Sequence, residues 1–109
     1  MTDKIVVLST CASQKEAEKL ARAVVEQRLA ACVNVLPGIQ SYYRWQGKLE
    51  SAVECLLIIK SSRERFDLLR DALEKAHSYE VPEIIALPVV EGAANYLNWL
   101  HANLAGEEQ

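Results

Sequence analysis

The stretch AHSYEVPEII, Ala76 to Ile85, sets a histidine, a tyrosine and two carboxylates around one proline, where helical spacing gives way to strand spacing. Imidazole is the commonest metal ligand among side chains, and Tyr79, Glu80 and Glu83 follow His77 within reach. A histidine in the last turn of a helix also meets the negative end of the helix dipole and can bond free carbonyls, so a structural role stands beside the ligand role. Glu54 raises a second question. It sits among Val53, Cys55, Leu56 and Leu57, and an acid there is costly to bury unless a lysine, an arginine or a bound cation meets it. Cys11, in LSTCAS, lies between strand-like and helix-like spacing, where a thiol could meet a ligand. Cys32 and Cys55 fall inside apolar runs and read as small core hydrophobes. No C-x-x-C pair and no histidine at zinc-site spacing accompanies them.

These groups need elements to position them. KIVVLST, Lys4 to Thr10, is a short β-branched run of the kind covered on both faces, hence a central strand. Ser13 and Glu16 form a capping box opening a helix to about Leu29, with Ala17, Leu20, Ala21, Val24 and Val25 on one stripe. Cys32 to Trp45 is strand-like but carries Pro37-Gly38, which points to an edge strand with a bulge or bend. Gln46-Gly47 suits a hairpin turn. The return strand, about Lys48 to Lys60, places Glu54, Leu56, Ile58 and Lys60 on one face. Ser61 and Glu64 suggest a second capping box, leading a helix with Phe66, Leu69, Leu73 and Ala76 inward and His77 at its end. EIIALPVV follows Pro82 as a last short strand, Gly92 to Leu104 returns to helical spacing, and AGEEQ is expected to fray.

Displacing the chain so that Ser13 falls on Ser61 also brings Glu16 onto Glu64, Leu20 onto Leu68 and Val25 onto Leu73. Each half is thus a strand, a helix and a strand. Two such halves with right-handed crossovers give an α+β, ferredoxin-like βαββαβ sandwich with an additional C-terminal helix. At 109 residues the chain is expected to be one domain, residues 1–109. The hairpin SYYRWQGKLE, Ser41 to Glu50, carries Tyr42, Tyr43 and Trp45 beyond the length one small sheet needs. It folds onto its own core or forms a subunit interface, and interface cores are rich in such aromatics.

The net charge of −3 argues against a nucleic-acid surface, which needs a concentrated basic patch. No charged-then-apolar leader is evident and no apolar run approaches the ~18 residues that span a bilayer. A cytoplasmic protein with no membrane or nucleic-acid partner is expected.

Five motifs in order, LAACVN (Leu29 to Asn34), SYYRWQGKLE, the Glu54 to Lys60 strand, H-x-Y-x-V-P-E-I from His77 to Ile84, and YLNWL (Tyr96 to Leu100), together resemble the CutA family of divalent-cation-tolerance proteins over nearly the whole chain. The resemblance implies a tight homotrimer, similar in architecture to the PII signalling proteins, with hairpins exchanged between neighbours. It implies tolerance of divalent metals, copper above all or zinc, with no established enzymatic reaction and no organic cofactor. It links metal to His77, Glu54 and a cysteine at the end of the first strand. Ser9 stands at that cysteine position, with Cys11 two residues later, and Ser78 replaces the usual proline after the histidine. A serine hydroxyl is a poor ligand for a soft ion.

The expected site is a metal or small-ligand cleft between subunits, with Tyr43, Trp45, Lys60, Tyr79 and Glu83 at the cleft or interface. The rival reading is a PII-like sensor holding a small anionic ligand there, which needs converging basic groups; Lys60 and Arg44 are the obvious ones. An acylphosphatase needs a donor loop with an arginine after the first strand, and LSTCASQK has neither arginine nor glycine. A copper-chaperone sandwich needs C-x-x-C there, and Cys11 has no such partner.

Overall fold

Alternation along two central strands organises the molecule. In the structure, a computed structural model describing residues 2–107, β1 (Lys4–Cys11) and β3 (Lys48–Ser62) pair antiparallel from Lys4↔Ser62 to Cys11↔Cys55. β2 (Cys32–Trp45) lies outside β3, and β4 (Ile85–Pro88) lies outside β1. The order β2-β3-β1-β4, with α1 (Gln14–Glu26) and α2 (Phe66–Ala76) as the two crossovers, is the ferredoxin-like sandwich. The Pro37 strand is at an edge, as its missing N–H requires. α3 (Ala94–Ala105) is the additional helix.

Ile5, Val7 and Cys11 of β1 and Cys55, Leu57 and Ile59 of β3 meet Ala17, Leu20 and Val24 of α1 and Leu69 and Leu73 of α2 in one core. Each fully buried aliphatic side chain there contributes roughly 1.5–3 kcal/mol. By the same period of two, Ser9 shares this inward face; it is 0% exposed, and its hydroxyl has no hydrogen-bond partner among the described residues.

Ser13 caps α1, its Oγ accepting from the Glu16 N–H at 3.1 Å, while Glu16 Oε1 reaches back to the Ala12 N–H at 3.4 Å. The helix stops at Glu26, short of Leu29, because Arg28 turns left-handed (φ 57°) and the Leu29 and Ala30 N–H groups both return to the Val24 carbonyl. The second capping box does not form. Ser61 and Ser62 remain in the ladder opposite Ile5 and Lys4, and Ser61 Oγ donates to the Leu29 carbonyl at 2.6 Å. α2 is entered instead through a 3₁₀ turn, Arg63–Arg65, without a side-chain cap. Its inner stripe is Leu69 and Leu73, with Phe66 half-buried against the same core, while Ala76 is exposed.

The last strand is shorter than EIIALPVV, only Ile85–Pro88. α3 closes on Gly106 (φ 76°), with the Glu107 N–H on the Ala102 carbonyl at 2.7 Å. Of the tail expected to fray, Glu108 and Gln109 lie outside the described residues. Two guanidiniums hold the end of α3: Arg28 Nη1 donates to the Asn103 carbonyl and Arg65 Nη2 to the Leu104 carbonyl, each at 2.7 Å. Cations there complement the negative end of the helix.

No helix of the described residues is long and apolar enough to cross a membrane.

Candidate functional site: an acidic, aromatic cleft

The hairpin reaches far beyond the sandwich, giving the molecule a 47 Å long axis against 26 and 23 Å. Its turn, Gln46-Gly47, has φ of 50° and 80°, the two positive values of a type I′ turn. At the other end, Pro37-Gly38 is the expected bulge: Leu36 pairs with Leu56, but the next pair is Ile39 with Glu54. Three residues of β2 therefore span two of β3.

The bulge selects which hairpin side chains face Glu54. Because side chains alternate, one inserted residue exchanges the two faces of everything beyond it. Ile39, Ser41, Tyr43 and Trp45 fall on the Glu54 face, and Tyr42 and Arg44 on the other. Without the insertion, Tyr42 and Arg44 would share the Glu54 face of the sheet instead.

Along the Glu54 face of the hairpin a cleft of about 470 Å³ opens, lined by Thr10, Tyr43, Trp45, Glu54, Ser78, Tyr79, Glu80, Val81 and Glu83. Three of these are acids and three are aromatic; none is a lysine or arginine. The floor comes from the end of β1, at Thr10, and the middle of β3, at Glu54. One wall is the hairpin, the other the loop after α2.

Within that loop His77 has a defined job. Its Nε2 lies 2.8 Å from the Thr10 carbonyl and its Nδ1 accepts the Tyr79 N–H at 3.0 Å. A carbonyl only accepts and a backbone N–H only donates, so the imidazole is neutral with its proton on Nε2. Both nitrogens are occupied. Tyr79, so placed, donates its hydroxyl to Glu54 Oε2 at 2.6 Å, and its ring stands 4.8 Å from that of His77. Burial first, and the Glu54 carboxylate next, push the Tyr79 phenol well above its ordinary pKa, so it remains a donor. A chain of contacts thus runs from β1 through His77 and Tyr79 to Glu54.

Glu16 pins the same loop from outside. Its Oε2 accepts the Ser78 N–H at 2.9 Å and its Oε1 the Ser78 hydroxyl at 3.0 Å, with His77 Nδ1 3.8 Å from Oε2. Burial acts to raise the Glu16 pKa, but the bonds from Ser78 and Ala12 outweigh it, and the carboxyl titrates below its ordinary value. The serine that replaces proline supplies both loop donors.

Glu54 is 8% exposed. Among the described residues it has the Tyr79 hydroxyl and no cationic partner. Of the partners its apolar neighbourhood left open, a lysine or arginine is absent among the described residues.

Cys11 is the last residue of β1 rather than part of an open loop. It is 0% exposed, its thiol on the Ser13 carbonyl at 3.4 Å, and burial above all pushes its pKa up to about 11. It faces the helices, opposite the Glu54 face. Lys60 lies six residues along β3 from Glu54, roughly 20 Å away at strand rise, and donates to Asn34 Oδ1; it does not line the cleft. Tyr43, Trp45, Tyr79 and Glu83 do. Among the described residues no group of three or more histidine, cysteine or acidic side chains gathers as a metal ion would need. A closed metal centre built from His77, Glu54 and Cys11 thus does not fit one folded chain: the thiol is buried, and both imidazole nitrogens are in use.

Thr10 and Glu16 escaped the sequence reading. Thr10 carried no signal beyond its place at a strand end, and the capping pattern accounted for Glu16 completely.

A ferredoxin-like sandwich with a long bulged hairpin and an acidic cleft along it defines a class of small α+β proteins. The sequence matches the family described as "CutA1 divalent ion tolerance protein" over residues 5–103. It is 48% identical over 98 residues to the "Divalent-cation tolerance protein CutA" of Thermus thermophilus, covering 90% of this chain and 95% of that one. It is 50% identical over 91 residues to human "Protein CutA", covering 84% of this chain but 51% of the relative, so it spans about half the length of that protein. Among solved structures, CutA from Xylella fastidiosa superposes with a TM-score of 0.92 at 40% identity, covering 94% of this chain and 99% of that one. The chain belongs to the CutA1 divalent ion tolerance family.

Proposed function

We propose that this chain serves divalent-cation tolerance as a cytoplasmic homotrimer that binds a divalent cation, zinc or copper(II), weakly in the acidic cleft, with no reaction of its own. The observation that carries the reading is Glu54, a carboxylate 8% exposed with no cationic partner among the described residues. Burying a charge is costly unless an opposite charge meets it. Glu80 and Glu83 add to the same field, and no basic side chain lines the cleft. That field repels the anion or nucleotide a PII-like sensor would hold.

Glu54 and Glu83 are the charged contacts, and His77 acts by holding Tyr79. Oxygen donors suit a hard or borderline ion and hold copper(I) poorly. The trimer is supported by apolar surface on the hairpin, where Tyr42 is 72% and Trp45 43% exposed, and by two sheet edges, β2 and β4, without strand partners among the described residues. Surfaces of this kind mark association, and copies of one chain associate symmetrically. Three free cysteines suit a reducing compartment.

Calorimetry with zinc and copper(II) on the parent, Glu54→Gln and Glu83→Gln tests the reading. Both substitutions should weaken binding, Glu54→Gln more. Equal affinity in all three proteins would remove the cleft as the cation site.

A further inference from the structure

We propose that the cleft takes a small alkylated ammonium ion, held by the rings of Tyr43, Trp45 and Tyr79 and by the charge of Glu54. This inference rests on the cation reading of the cleft and names the kind of cation. Four observations converge on it.

The first is charge. Glu54 is more than nine-tenths buried, lines the cleft and lacks a positive partner among the described residues. The second is size. A volume of about 470 Å³ lies within the roughly 300–1,000 Å³ of small-molecule sites, whereas a bare metal ion would leave most of it to water.

The third is the donor set. A tightly held metal needs several ligands at fixed positions, and no such group is assembled among the described residues. An alkylated ammonium needs none. It is weakly hydrated, so stripping its water costs little, and it is attracted to aromatic faces as well as to carboxylates. Three aromatic residues and three acids around one cleft supply both attractions.

The fourth is the bulge. By exchanging the faces of the hairpin it brings Tyr43 and Trp45 to the Glu54 side and turns away Arg44, which bonds the Gly47 carbonyl at 3.5 Å instead. A guanidinium on that face would have added a positive charge to the cleft wall. The register leaves the cleft without a basic side chain and puts the rings of Tyr43 and Trp45 along its wall.

Calorimetry on the full chain with tetramethylammonium, and with tert-butanol as an uncharged probe of similar size, tests the proposal at fixed ionic strength, with zinc titrated separately and in competition. Saturable tetramethylammonium binding, at least about tenfold tighter than tert-butanol, is expected. Glu54→Gln and Trp45→Leu should each weaken it at least about tenfold, and zinc should compete. Tyr43→Leu gives a second ring variant should Trp45→Leu fail to fold or assemble.

Zinc binding that depends on Glu54, without tetramethylammonium binding, would overturn this inference and leave the divalent-cation reading standing. Tetramethylammonium binding without zinc binding would support the inference and sink that reading. Equal affinity for the charged and uncharged probes, or no loss in either ring variant, would also overturn it.

Discussion

The two faces of the sheet come from the same strands and have opposite characters. On one, Val7, Leu57 and Ile59 close against Leu69 and Leu73 of α2, all 0% exposed. On the other, Thr10 and Glu54 open into a cleft walled by Tyr43, Trp45 and Tyr79. Adjacent residues of β3, Glu54 and Cys55, are both buried yet serve different ends. Alternation alone divides the closed core from the open cleft here, so changes on one face should leave the other largely intact.

The largest effect should come from the closed face. Leu69→Ala removes a fully buried side chain and should cost about 2–5 kcal/mol of stability in denaturant unfolding, with cation affinity per folded molecule unchanged. An affinity loss as large as the stability loss would break the separation of the faces.

On the open face, Trp45→Ala should cost ~2 kcal/mol or more of association, since a truncated aromatic anchor commonly does. Light scattering on dilution reads this directly. A variant that associates as strongly as its parent would remove Trp45 from the contacts of the proposed trimer.

Tyr79→Phe should cost about 1–3 kcal/mol, because it leaves the buried Glu54 without its hydrogen bond. Thermal unfolding with and without zinc would separate this loss from any effect on binding. No change in unfolding would mean that Tyr79 does not hold the acid.

The smallest effect concerns Glu16. Its folded pKa is lowered from 4.5, so its contribution to stability is present above about pH 4.5 and is lost as pH falls through the lower folded value. Glu16→Gln should lower stability modestly at neutral pH, where the carboxylate's contribution is fully present, and so flatten that part of the acid limb. An unchanged acid limb would show that Ser78 does not depend on the carboxylate.

Much of this division was legible in the residue order. Pro37-Gly38 announced an edge strand with a bulge, Gln46-Gly47 the turn, and the β-branched runs the central strands. The Ser61/Glu64 pattern misled because S-x-x-E does not reveal whether the preceding strand has ended; the ladder runs on to Ser62. The cleft was half legible. Glu54 advertised an unmet charge by standing among apolar neighbours, and Tyr79 and Glu83 followed a histidine. Which hairpin aromatics would face the acid depended on the number of residues the bulge inserts, and Pro-Gly does not specify that count. Cys11 looked accessible because a thiol between a strand and a helix reads as a loop residue, whereas β1 extends to include it.

The central claim is that the unpaired charge of Glu54 meets a cation. Carbon-13 labelling of glutamate, with NMR of the side-chain carboxylate carbons and the Trp45 indole during titrations with zinc and with tetramethylammonium, tests it most directly. The account predicts that the Glu54 carbon, assigned through Glu54→Gln, shifts saturably with both cations, with the indole responding alongside. A Glu54 carbon that stays still while the protein binds either cation elsewhere would contradict it.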